Sequence, residues 1–150
     1  MRLAAPLSFV ALLTACGGPP SAAQTVLSVT SHGVVEADNQ LDQRLAVAGE
    51  ECLAAASSRV EFEACVAPFG TAIRVLRTTV HALLASQQAF DAWNDGTDDG
   101  ALWYDSIPCL LSALVELRIA LEAAGVPVPA LVSQAVDMAS SFGGLCGGDL

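Results

Sequence analysis

Apolar side chains recur at spacings of three and four through most of this chain, the period of helices with one buried face. Leu41, Leu45, Ala48, Cys52 and Ala55 make the first stripe. Ser57 and Ser58 interrupt it. Ser58-Arg59-Val60-Glu61 then has capping-box spacing, in which a Ser hydroxyl and a Glu carboxylate three residues on satisfy the free amides of a helix start. Pro68 suits the first turn of a further segment. Phe69, Ile73, Leu76, Val80, Leu83, Gln87 and Phe90 form the cleanest stripe, and the helix they predict stops before Asn94-Asp95-Gly96. Leu110, Leu114, Leu117, Leu121 and Ala124 make the third, closed by Gly125. Pro127 and Pro129 open the fourth, with Leu131, Ala135, Met138 and Phe142 on its buried face and Gly143-Gly144 at its end. Four amphipathic helices with short connections bury their stripes best as a bundle. The expected fold is therefore all-α, a small bundle of about four helices. An irregular all-α array is the alternative, since the break at Ser57-Ser58 and Pro68 make the first half uneven.

Composition agrees with helix. The chain is 53% hydrophobic with only 5% aromatics. The apolar fraction comes from Ala, Leu and Val, and Ala and Leu favour helix. A length of 150 residues suits one domain. The formal charge is −10, and all six basic residues are Arg. Nucleic-acid binders gather Lys and Arg to neutralise phosphates, and polybasic contacts with anionic lipid need the same clusters. This chain has neither, so both classes are excluded. Arg74 and Arg77 are expected to pair with acids on an exposed helix side, with His81 one turn beyond Arg77.

The first sixteen residues, MRLAAPLSFVALLTAC, change the picture most. Arg2 precedes an apolar run from Leu3 to Leu13, too short for the about 20 residues a bilayer span needs but suited to the core of a signal peptide. Leu13-Thr14-Ala15-Cys16 resembles the lipobox of bacterial lipoproteins. The resemblance covers residues 1–16 alone. It implies a diacylglyceryl group on the Cys16 sulfur, cleavage before Cys16, and acylation of the freed amine. Residues 1–15 would then be a removed signal peptide, 16–35 a lipidated Cys and tether, and 36–150 the helical domain. Gly17-Gly18-Pro19-Pro20-Ser21-Ala22-Ala23-Gln24 has tether composition, and residues 25–35 either continue it or lie extended against the domain. Two or three acyl chains hold a protein on a membrane where one gives only marginal binding, at ~0.8 kcal/mol per buried methylene. In a two-membrane cell an Asp after the Cys would favour the inner membrane, so Gly17 implies the outer membrane. In a one-membrane cell the protein would sit on the outer face. Ordinary signal cleavage after a small residue such as Ala15 or Ala23 is the plainer alternative.

Cys52, Cys65, Cys109 and Cys146 remain once Cys16 is assigned, and an even number in an exported chain argues for two disulfides. The predicted helices favour Cys52–Cys65 across the Ser57-Ser58 break. They favour Cys109–Cys146 where the third helix starts and the fourth ends. With no CxxC or HxxxH spacing, no metal site is expected from the cysteines and histidines. No cofactor is expected either.

Residues 91–105, DAWNDGTDDGALWYD, gather five Asp, both Trp and the only Tyr. As a cation loop the stretch lacks the bidentate last ligand: Leu102 or Ser106 stands where an EF-hand has Glu. Asp91, Asp95, Asp98, Asp99 and Asp105 then read as solvating a turn-rich loop and capping the next helix. Trp93, Trp103 and Tyr104 read either as a platform for a ligand or partner, or as residues packed beneath the loop. No catalytic constellation appears: GxSxG and SxxK are missing and histidine is scarce. The expectation is a lipid-anchored, non-enzymatic envelope protein that binds another envelope protein, with 91–105 the first surface to test. One alternative is a small envelope enzyme, small-ligand or calcium-binding module with its site at 91–105. Another, by general resemblance, is a surface lipoprotein encoded by a phage or mobile element.

Overall fold

The computed structural model describes the backbone of residues 19–146 and the side chains of residues 19–142. Among the described residues four helices follow one another: α1 (Ser21–Ala55), α2 (Arg59–Asn94), α3 (Ala101–Ala123) and α4 (Ala130–Cys146). The main packing pairs are α1 with α2, α2 with α3, α3 with α4, and α4 with α1. That ring, closed by short connections, is a small all-α bundle.

Several boundaries differ from the sequence reading. The stretch expected as tether is helical from Ser21, and Ala23, Val26, Leu27, Thr30 and Gly33 are buried on it. These five residues fall on one helical face, and neighbouring helices supply the burial that the stretch's own propensity does not. Pro68 starts nothing: α2 passes through it. The amide that Pro68 lacks would have bonded the carbonyl of Ala64, which is exposed, so water can satisfy that carbonyl. Helix α3 begins at Ala101, eight residues before Cys109, and α4 continues through Gly143-Gly144 to Cys146.

The joints follow local chemistry. Ser58 Oγ accepts from the Glu61 amide at 3.3 Å. The Glu61 carboxylate accepts from the Ser57 amide at 2.8 Å and hydroxyl at 2.7 Å, so the expected box closes one residue further out than its ideal form. These bonds, the Ser57 hydroxyl first, hold the Glu61 carboxyl below its usual value. At the end of α3, the Gly125 amide donates to Glu122 O and the Val126 amide to Leu121 O, the paired bonds of a Schellman stop.

Helix α2 buries Phe69, Ala72, Leu76, Thr79, Leu83, Ser86, Ala89 and Trp93, at spacings of three and four along one face. The sequence stripe lay one residue aside at Ile73 and Val80, which are half-buried. Small and hydroxylated residues occupy the centre because α3 approaches closely there. The Thr79 hydroxyl lies 3.0 Å from Val75 O and 3.1 Å from Ala113 O, within donating reach of its own helix and of α3. A second close approach joins α1 to α4. A Cβ on Gly33 would stand 3.0 Å from backbone atoms of Leu131 and Val132.

The helices are unequal. At 1.5 Å per residue, α1 and α2 are ~52 and ~54 Å long, whereas α3 and α4 are ~35 and ~26 Å. Phe69 and Ala72 already pack in one cluster with Ala120, Leu121, Ala124 and Val126, at the far end of α3. Ala48 still belongs to that cluster, and Arg44 and Val47 line one groove with Pro127. Residues 49–68 therefore project beyond the body as a two-helix tip. Within them only Cys52 is a buried apolar residue. The predicted Cys52–Cys65 disulfide is present there, with a Cα separation of 5.9 Å.

Candidate binding surface at residues 91–105

The opposite end of the bundle carries the Asp- and Trp-rich stretch. Helix α2 ends with the Gly96 amide donating to Trp93 O and the Thr97 amide to Ala92 O. Asp98 then supplies the cap of α3: its Oδ2 accepts from the Gly100 amide at 2.7 Å and the Leu102 amide at 3.3 Å. Asp99 Oδ1 accepts from the Ala101 amide at 3.1 Å. Gly100 has φ 99°, and a Cβ there would meet the Trp93 ring at 2.8 Å, so both backbone and space demand glycine. The connection is thus only residues 95–100, shorter than the loop expected over 91–105.

The aromatics are divided. Trp103 is fully buried and Trp93 nearly so, at 0% and 8% exposure. Trp103 meets Phe90 and Phe142 edge-on at centroid distances of 5.9 and 6.2 Å. Trp93 lies 5.7 Å from the Tyr104 ring. Only Tyr104 and Leu102 reach solvent. A platform of three exposed rings is not formed: the tryptophans are the floor under the connection. Asp91, Asp95, Asp99 and Asp105 are exposed and Asp98 is half-buried. Neither Asp91 nor Asp105 is sequestered against Trp103, as a general acid in a closed pocket would need. Among the described residues, no group of three or more His, Cys, Asp or Glu stands in metal-holding geometry.

Asp91 does line a groove of about 360 Å³ with Gln24, Ser28, His32, Gln87 and Phe90. The sequence hides this groove, because residues 17–24 have tether composition and 25–35 fit either tether or an extended stretch. The spacing of four from Gln24 to Ser28 to His32, one helical face, is the signal that reveals it.

Cys16 lies outside the described residues. So does the Cys146 side chain, and with it the Cys109–Cys146 pairing; Cys109 itself is exposed within α3 rather than at its start. Arg74 donates to Thr71 Oγ1 and has no acid partner among the described residues. Ion pairs among the described residues join Arg59 to Glu63 and Arg118 to Glu122, so the expected pairing of Arg74 and Arg77 with acids is not found.

No protein-family model, curated protein or solved structure matches this chain.

Proposed function

We propose that the chain is a lipid-anchored protein of the cell envelope, acylated at Cys16, which works without catalysis by presenting its helical bundle to another envelope protein. The observation that carries this reading is Leu13-Thr14-Ala15-Cys16 at the end of a short apolar run. Supporting it, no helix among the described residues is long and apolar enough to cross a membrane, so the acyl chains would be the attachment. Helix α1 begins at Ser21, and residues 17–20 reach at most ~14 Å. Ala23, Val26 and Leu27 pack with Trp93 and Trp103, so the end of the bundle nearest the lipid would be the acidic one. Its Asp side chains would repel anionic headgroups within about a Debye length, ~8 Å, and hold the bundle off the surface. The disulfide tip would then face away from the membrane, with Leu53 and Val60 exposed on it at 71% and 74%.

The test compares the native protein with Cys16→Ser by intact mass and by in-membrane photo-crosslinking from Leu53 and from Leu102. The expected result is a native mass heavier by lipid, no protein captured from Leu102, and one envelope protein captured from Leu53 only when the anchor is present. An unlipidated native mass overturns the anchor. A lipidated protein that captures nothing from Leu53 overturns the interaction and moves weight to the acidic end as a ligand site.

A further inference from the structure

Away from both ends, a concavity combines apolar walls with opposed charges that lack ion-pair partners among the described residues. It lies between α1 and α2 and holds about 270 Å³. Val34, Leu76 and Val80 supply its apolar lining, and Val35 stands at its edge, 58% exposed. Asp38 lies on the α1 rim; Arg77 and His81, one turn apart, lie on the α2 rim. Asp38 and Arg77 line the same groove, yet neither makes an ion pair with any described residue. The two described pairs instead join neighbours four apart on a single helix.

We propose that this groove binds a zwitterion with an apolar body: an α-amino acid carrying a large aliphatic or aromatic side chain. Its ammonium donates to the Asp38 carboxylate. Its carboxylate accepts from the Arg77 guanidinium, whose planar fork suits two parallel bonds, with His81 beside it. Its side chain covers Val34, Leu76 and Val80 and removes that surface from water. Charge complementarity selects the zwitterion, because a ligand with one charge satisfies one rim and is repelled by the other. The groove, about 270 Å³, accommodates a side chain the size of leucine or phenylalanine. This inference is independent of the lipid anchor.

The test is an amide-shift titration of the isotope-labelled full chain, carrying Cys16→Ser, with L-phenylalanine. Hydrocinnamate and phenethylamine serve as single-charge controls. Saturable shifts confined to residues 34–38 and 76–81 are expected, with both controls about fivefold weaker or worse. Asp38→Asn should reduce phenylalanine to the affinity of hydrocinnamate, and Arg77→Gln to that of phenethylamine. Both side chains are exposed, so both variants should fold, as circular dichroism will show. The proposal is overturned by any of three results: no saturable shift at millimolar phenylalanine, controls that bind equally well, or binding unchanged in both variants.

Discussion

The body and the tip are built from the same two long helices, yet they are held together differently. In the body, α3 and α4 close a ring, and Trp103, Leu110, Leu114, Leu117 and Leu121 are fully buried. In the tip, α1 and α2 have only each other. Two helices can cover one stripe apiece and leave the rest of each surface in water, so a tip of this kind cannot assemble a core. A covalent link takes the place of the missing neighbours. In the chain-entropy account, a disulfide closing a loop as short as the 13-residue separation here contributes about 3 kcal/mol. The lesson is that burial follows the number of neighbouring helices and not helix length.

The most severe way to break the contrast is in the body. Trp103→Ala should cost about 3–5 kcal/mol in denaturant unfolding, because it opens a cavity among Phe90, Phe142 and α3. Trp103→Phe should cost much less, since the indole N–H is buried with no acceptor among the described residues. Next comes the staple. Cys65→Ser should cost about 3 kcal/mol, but locally: hydrogen exchange should rise across residues 45–66 while the near-ultraviolet signal of the buried tryptophans is unchanged. A matching fall in the melting point of the body would show that tip and body are one cooperative unit.

A matched pair sharpens the comparison. Gly33→Ala in the body should destabilise by about 1–2 kcal/mol, since its Cβ would press on the α4 backbone. Gly49→Ala in the tip meets nothing within 4 Å and should stabilise by about 0.5–1 kcal/mol through helix propensity alone. The same sign for both would remove the distinction. The smallest expected effect is at the start of α2. The Glu61 carboxyl is held below its ordinary 4.5 by the Ser57 hydroxyl and amide. Its contribution is therefore present above about pH 4.5 and is lost as pH falls through the lower folded value. Glu61→Gln should abolish that acid dependence of amide protection at residues 59–63.

Much of this was legible from local chemistry. The Ser58–Glu61 cap, the Gly96 and Gly125 stops, the third stripe and the Cys52–Cys65 pair each depend on residues close in sequence. So did the role of Asp98 and Asp99, whose carboxylates reach amides two to four residues ahead. Pro68 misled because propensity says where a helix prefers to start, while tertiary packing decides whether it must stop. The α2 face misleads because its largest apolar residues do not mark its centre. The core side there is Ala72, Thr79 and Ser86, where α3 comes close.

By itself, then, the sequence determined the class of the fold, the joints at Ser58, Gly96 and Gly125 and its first disulfide, because these rest on interactions within a few turns of the chain. Only the tertiary structure decided that residues 21–35 are helix, that both tryptophans are floor and not platform, and that Asp38, Arg77 and His81 border one groove. Each of those depends on which helices become neighbours. That choice is made by burial summed over the whole bundle, and no short stretch of sequence carries it.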